Sequence, residues 1–194
     1  MELYHQRLLD FISNTLVIPP SDEAAIRQYF EPVFMPKGTL AHSPGKIPGY
    51  HNFIVSGYMR SFHLDIDNKE ITTDLNNGPR FFTSYAHFMN RTVSHETIHC
   101  ITDCEVLRIS RANVELRAEA SSTLKDYTIR ILQKRLAEEK ERISDLANLT
   151  AEQRYLKFMK EKPNTARHVP LSYIASYLGI TQRHLSRLRK EVSV

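Results

Sequence analysis

"LSYIASYLGITQRHLSRLRKE" (residues 171–191) is the stretch on which the fold turns. With Leu171 as its first position, the fifth is Ala175, small enough to let two helices approach. The ninth is Gly179, which takes a positive φ without steric cost where a turn needs one. Positions 4, 8, 10, 15 and 18 must be apolar to close a miniature core, and they hold Ile174, Leu178, Ile180, Leu185 and Leu188. All of these agree with a helix-turn-helix. Thr181 then stands as the cap of the second helix. That helix turns Gln182, Arg183, His184, Ser186, Arg187, Arg189 and Lys190 away from the miniature core. A recognition helix works this way: its first residues reach base edges in the major groove while nearby cations hold phosphates. Gln suits adenine and Arg suits guanine by bidentate geometry.

The charge is placed accordingly. Residues 151–194 hold nine Lys/Arg against three Asp/Glu, a net of +6, so that residues 1–150 carry −2 of the chain's +4. A positive tail is the electrostatic footprint of a nucleic-acid-binding module. On charge alone a solvated basic helix explains it equally well.

Upstream, "LTAEQRYLKFMKEK" (149–162) opens with Thr150 and Gln153, a capping box that starts a helix, and it stops before Pro163-Asn164. Before it, Ile129, Leu132, Leu136, Glu139, Ile143 and Leu146 recur in alternating steps of three and four, an a/d seam interrupted only by Glu139. Such a narrow apolar seam needs cover, either from a second copy of the chain or from the chain's own β-rich part.

That β-rich part runs from Phe34 to about Ile109. Short β-branched and aromatic runs alternate with the turn signals "PKG" (36–38), "SPGKIPG" (43–49), "DIDNKE" (65–70) and "NNGP" (76–79). "DNK" between "SFHLDI" and "EITTDL" reads as a hairpin turn, and strands at this spacing suggest a sandwich or barrel. Residues 2–13 and 21–31 read as helices, the second starting after Pro19-Pro20.

Composition sets the class. At 194 residues, 41% hydrophobic and 25% charged, this is an ordinary globular chain with no apolar run long enough to span a membrane. The start "MELYHQRLLDFISN" does not read as a signal peptide, and two cysteines make no disulfide framework. A cytoplasmic protein is expected.

"HETIH" (95–99) matches the His-Glu-x-x-His pattern of zinc hydrolases. That chemistry needs a helix, which brings residues four apart onto one face. Here the chain runs on as "TIHCITDCEVLRIS", which is β-rich, so His95 and His99 would stand about 13 Å apart at about 3.3 Å per residue. No metal and no catalytic residue are expected. The same arithmetic puts Cys100 and Cys104 beyond the roughly 7 Å reach of a disulfide and makes them small core residues. Phe81, Phe82, Tyr85 and Phe88 are expected to form core and elbow packing.

A β-rich domain, a long seam helix and a C-terminal helix-turn-helix resemble the Crp/Fnr family of bacterial transcription regulators over nearly the whole chain. "PKGTL" (36–40), Gly45 and "FIVSGYMRSFHLDIDNKEIT" (53–72) look like that family's β-roll, and "VPLSYIASYLGITQRHLSRLRKE" (169–191) is similar to its DNA-reading end. The resemblance implies an α+β chain: an N-terminal double-stranded β-helix (jelly-roll or β-roll) over 1–111, a long dimerisation helix over 112–148 with Ile129, Leu132, Leu136, Ile143 and Leu146 at the interface, and a helix-turn-helix domain over 149–194. It implies a cytoplasmic homodimer that binds palindromic double-stranded DNA, with base contacts at Gln182, Arg183 and Arg187 and with RNA polymerase as a further partner. A C-terminal hairpin that binds protein, on a roll acting as sensor or scaffold, is the alternative.

The departures from the family bear on the effector. Thr83-Ser84 stand where cyclic-AMP-binding members carry Gly-Glu, and Val93-Ser94 where they carry Arg-Ser. Without that carboxylate and guanidinium, cyclic AMP is not expected. An effector pocket, where one exists, would draw on Phe82, Thr83, Ser84, Arg91 and Ser94, with Arg80 or Arg91 as replacement cations. Ala137 and Glu138 occupy the helix positions that would meet adenine. The cysteine cluster of an iron–sulfur sensor is not found, so no such cluster is expected. The chain ends three residues past Glu191, so no β-hairpin wing is expected.

Overall fold

The computed structural model describes residues 2–192, which leaves the sequence past Glu191, where a wing would begin, almost wholly outside the described residues. Two helices, α1 (Glu2–Ser13) and α2 (Pro20–Tyr29), precede eight strands: β1 (Glu31–Met35), β2 (Leu40–His42), β3 (Tyr50–Ser56), β4 (Tyr58–Leu64), β5 (Glu70–Asn77), β6 (Arg80–Phe82), β7 (Thr97–Cys100) and β8 (Cys104–Ser110). A short helix α3 (Tyr85–Asn90) lies between β6 and β7. The strands form two four-stranded antiparallel sheets, ordered β1-β8-β3-β6 and β2-β7-β4-β5. This is the expected roll, and the architecture is α+β as the sequence implied.

Alternation along the strands separates two apolar layers. Ile54, Met59, Phe82, Ile98, Cys100 and Val106 fill the space inside the roll. Phe53, Val55 and Leu107 point out of the first sheet and are covered by Leu8, Leu9 and Ile12 of α1 and Ile26 of α2. The hairpin expected at "DNK" forms, with the Asp65 carboxylate accepting from the amides of Asp67 and Lys69 and Asn68 at φ 59°.

The single long helix expected over 112–148 is instead two, α4 (Arg111–Ala120) and α5 (Ser122–Asn148). Ser121 adopts extended backbone between them and caps the second, its hydroxyl accepting from Leu124 N and donating to Asp22 Oδ2 at 2.7 Å. Ser121 therefore pins the break to α2. The chain continues through α6 (Ala151–Glu161), opened by the Thr150/Gln153 capping box, a short α7 (Pro163–His168) with proline in its first turn, α8 (Leu171–Tyr177) and α9 (Gln182–Val192).

The cysteine spacing also differs from expectation. Cys100 ends β7 and Cys104 starts β8, and the turn between them folds the two buried thiols together. Their proximity raises the Cys100 pKa and lowers that of Cys104, whose thiol donates to Tyr58 O and Thr102 O. Strand arithmetic failed because three residues of turn, not strand, separate them. The turn also explains Gly57. At φ +97° it lies against it, and a Cβ there would meet Asp103 O at 2.4 Å and Cys104 Sγ at 2.7 Å.

Gly57→Ala is expected to destabilise the roll by about 2–3 kcal/mol, through overpacking against backbone and a disfavoured φ, as read from chemical denaturation. A change below about 0.5 kcal/mol would show that the turn yields. A second expectation concerns His51, on the outer face of β3 among the rings of Phe81, Tyr85 and Phe88 at 4.6, 5.3 and 5.8 Å. Burial pulls its pKa down to about 4. Unfolded imidazole takes up a proton below about 6.5 while folded His51 stays neutral, so stability falls as pH drops through that interval. Urea unfolding at pH 7 and pH 5 is expected to show a smaller loss for His51→Phe than for the parent chain, and an equal loss would count against burial of the neutral ring. His42 and His99, lowered by the same cause, retain part of the slope in both.

Candidate nucleic-acid interface

Two local features set the geometry of the C-terminal motif. Gly179 takes φ +70° and reverses the chain after α8, and Thr181 Oγ1 accepts from His184 N at 3.2 Å to cap α9. Ile174, Ala175, Leu178, Leu185 and Leu188 are buried and Ile180 is partly so, which is the miniature core read from the sequence. It is continuous with Tyr155 and Phe158 of α6 and with Val169. Thr181, Gln182, Arg183, Arg187, Arg189 and Lys190 are exposed, while His184 and Ser186 are half-buried. The structure thus gathers the sequence-predicted residues on one helix, four of them cationic side chains on a surface that bears no carboxylate before Glu191.

No sequence signal announced where this module sits. α8 lies along β5, the edge strand of the second sheet. Ser176 Oγ accepts from Thr72 N at 2.9 Å and donates to Glu70 O at 3.1 Å. Arg142 of α5 donates to Thr72 O and to Tyr177 O, and Lys162 Nζ donates to Leu75 O. Beneath them is Arg60, 1% exposed, bonded to Thr72 Oγ1 at 2.8 Å and Glu70 Oε2 at 2.5 Å. Its guanidinium lies 4.0 Å from the Tyr173 ring centre and 4.4 Å from that of Phe62. Tyr58 stacks on His168 at 5.2 Å on the other flank.

The candidate effector residues divide. Ser84 and Ser94 meet inside the roll, Oγ to Oγ at 3.1 Å, with Phe82 buried beside them. Thr83 instead donates to Tyr50 O. Arg91 is turned away: its backbone is left-handed at φ 56° and its guanidinium pairs with Glu115 at 2.8 Å. Arg80, the other replacement cation, is held by Glu138 of α5 at 2.6 Å. Arg80, Phe82, Thr83 and Ser84 line an open cleft of about 950 Å³ that faces the second half of α5, and Arg135–Asp74 (2.6 Å) and Lys157–Glu141 (2.6 Å) cross or border it as ion pairs.

Helix α5 packs on the roll through Leu124, Tyr127 and Ile131. The seam residues Ile129, Leu132, Leu136, Ile143 and Leu146 lie elsewhere on it and remain 37–65% exposed. The seam is therefore not covered by the chain's own β domain, one of the two readings the sequence left open. In "HETIH", His95 and Glu96 precede β7 and His99 lies on it, so the helical face that zinc chemistry needs is not formed. His99 packs edge-on to Phe62 and Tyr173, and Glu96 accepts from Ser61 Oγ.

No protein-family model and no curated protein matches the sequence. Solved structures do. FixK2 from Bradyrhizobium japonicum superposes with a TM-score of 0.73 at 19% identity, covering 84% of each chain. A transcriptional regulator of the Crp/Fnr family from Eubacterium rectale superposes with a TM-score of 0.71 at 18% identity, over 91% of this chain and 84% of that one. The c-di-GMP-responsive global regulator CLP of Xanthomonas campestris gives a TM-score of 0.68 at 19% identity, over 90% and 92%. The chain has the fold of the Crp/Fnr regulators, a cyclic-nucleotide-binding-like roll followed by a helical C-terminal domain. No helix among the described residues is long and apolar enough to cross a membrane.

Ser176→Ala removes one acceptor and one donor from the β5 edge. A neutral hydrogen bond contributes about 1 kcal/mol, so the Thr72 amide is expected to exchange with solvent about five times faster, as read by hydrogen exchange. Unchanged exchange at Thr72, with α9 amides unaffected as well, would mean that the hydroxyl does not hold the module on the roll.

Proposed function

We propose that the protein is a DNA-binding transcription regulator, not an enzyme, which binds a two-fold symmetric operator as a homodimer. The observation that carries this reading is the exposed first half of α9: Gln182, Arg183 and Arg187 on a Thr181-capped helix that its own buried face anchors to α8. Gln182, Arg183 and Arg187 read bases; Thr181, His184, Ser186, Arg189 and Lys190 supply backbone and phosphate contacts.

Dimerisation follows from the exposed seam of α5. Ile129, Leu132, Leu136, Ile143 and Leu146 are covered by the same residues of a second copy, with Glu139 tolerated at its edge. Two α9 helices then face successive turns of one groove, about 34 Å apart. RNA polymerase is a further partner on this reading, and the cytoplasm is the compartment. The Ser84–Ser94 pair marks the effector pocket inside the roll. Cyclic AMP is a poor fit to it, since Arg80 and Arg91 are already engaged by Glu138 and Glu115 and neither is presented to a phosphate. An effector acts by favouring the dimer geometry with the correct spacing between recognition helices.

Selection of sites from a random duplex pool, followed by titration over salt, tests the proposal. A two-fold symmetric site is expected, with affinity falling steeply as salt rises. Arg183→Ala or Arg187→Ala is expected to weaken that site by roughly 5- to 150-fold, the loss of about 1–3 kcal/mol of base contact. Leu136→Glu is expected to yield a monomer that binds the full site weakly. No binding at low salt, or arginine variants that bind as the parent does, would overturn the reading and leave the C-terminal hairpin a protein-binding one.

A further inference from the structure

Three side chains of the second sheet stand together on its outer face. Met59 points into the roll, so alternation along β4 turns Arg60 and Phe62 outward. Register places His99 of β7 beside Arg60. The ring of Tyr173, on α8, closes this socket: the Arg60 guanidinium lies 4.0 Å from its centre, and His99 meets it edge-on at 5.7 Å. Phe62 flanks both, 4.4 Å from the guanidinium and 5.6 Å from the His99 ring. One turn along α8, Ser176 rests on Thr72 and Glu70, and the Tyr177 ring lies 4.6 Å from the Arg142 guanidinium.

Arg60 differs from the other contacts in where its bonds come from. Its charge is held by the roll, through Thr72 Oγ1 at 2.8 Å and Glu70 Oε2 at 2.5 Å, both on β5. The face of the guanidinium is completed from the module: the residue is 1% exposed, and cation–π attraction is strongest where water is excluded. Tyr173 is half-buried and stands beside the miniature core, which closes on Ile174, Ala175, Leu178, Leu185 and Leu188. The Arg60–Tyr173 contact therefore belongs to docking and not to the internal fold of either part.

We propose that Arg60 is a positioning residue for DNA recognition. By holding Tyr173 it fixes the angle at which α8, and beyond the Gly179 turn α9, leaves the roll, and so sets the half-site spacing that a dimer accepts. This role rests on the DNA-binding reading above; the docking contact itself does not.

Arg60→Met, Tyr173→Leu and the double variant of the full chain test it, with circular dichroism melting as the check on folding. Hydrogen exchange reads docking at the Thr72 amide, which Ser176 Oγ covers. Each single variant is expected to speed that exchange about thirtyfold, the scale of one desolvated cation–π contact, while the amides of Val106 in the roll and Leu185 in α9 are unchanged. The double variant is expected to exchange no faster than either single one, because both changes remove the same contact. Recognition is read as affinity for the selected operator relative to one with a single base pair inserted between its half-sites, a displacement of about 3.4 Å. Both single variants are expected to lose about fivefold of the parent's preference, the scale of one mismatched base pair, and to bind an isolated half-site as the parent does. A merely structural defect would weaken the half-site as well. Where Arg60→Met fails to fold, exchange and spacing preference in Tyr173→Leu decide alone. Additive exchange effects, or a spacing preference equal to the parent's, overturn the proposal. A parent that selects no operator overturns the DNA-binding reading and the positioning role with it, while the exchange cycle still decides whether the contact holds the module.

Discussion

Strand β5 ends its sheet, and the outward N–H and C=O groups of an edge strand must be covered, solvated or left as a template for pairing. Here the cover comes from the rest of the same chain. Ser176 takes the Thr72 amide and gives its own proton to Glu70 O, Arg142 caps Thr72 O, and Lys162 caps Leu75 O. Two helices and the link between α6 and α7 thus meet one edge. Arg60 makes the arrangement specific. A guanidinium buried to this degree is costly unless paired, and Glu70, Thr72 and the faces of Phe62 and Tyr173 together engage it. Tyr173 belongs to α8, so the environment of a charge in the roll is complete only when the helix-turn-helix module is in place.

Helix α5 serves three constraints with three stripes of one surface. Leu124, Tyr127 and Ile131 close the outer core of the first sheet. Arg135 and Glu138 reach back to Asp74 and Arg80; burial pushes the Asp74 pKa up, but the Arg135 and Lys162 cations beside it outweigh that and hold it below its usual value. Exposed pairs of this kind contribute little, but Arg135–Asp74 is largely shielded and fixes the rotation of α5 about its axis. That rotation is what leaves Ile129, Leu136 and Ile143 facing outward. The Ser121 break matters for the same reason: capped by its own hydroxyl and tied to Asp22, it lets α5 start in a direction α4 does not dictate.

What the sequence disclosed follows from how local each signal is. The helix-turn-helix was legible in full, because Gly179, Ala175, Thr181 and five apolar positions act within twenty residues and no distant partner is needed to interpret them. The strands, the 65–70 hairpin and the Thr150 capping box were legible on the same grounds. Ser121 was not, since a serine inside a helical pattern reads as tolerated until a distant Asp22 is seen to hold it. Cys100 and Cys104 were misplaced because strand spacing was extended across a turn. Arg91 looked available to the pocket, yet its left-handed backbone sends it to Glu115, a partner 24 residues away. The docking of α8 on β5 left no trace in periodicity at all, for it depends on hydrogen bonds between residues about a hundred apart.

The docked arrangement and the proposed DNA contact use different surfaces, and that separation has a mechanical consequence. α8 meets the roll through Tyr173 and Ser176, whereas α9 presents Gln182, Arg183 and Arg187 to solvent. Docking therefore leaves the exposed face of α9 open and sets its orientation relative to α5. In the proposed dimer, joined along the α5 seam, the separation of the two α9 helices would be set by how each module rests on its own β5. β5 pairs with β4, which carries Arg60 and Ser61, and Ser61 in turn bonds Glu96 beside the Ser84–Ser94 pair. A displacement of those few side chains inside the roll reaches the edge strand in two steps, and on its outer edge that strand meets α8, Lys162 and Arg142 of α5. Because a packed interface responds by shifting between discrete arrangements more readily than by bending, a change at the serine pair would move α9 as a body, and with it the half-site spacing that the dimer can accept.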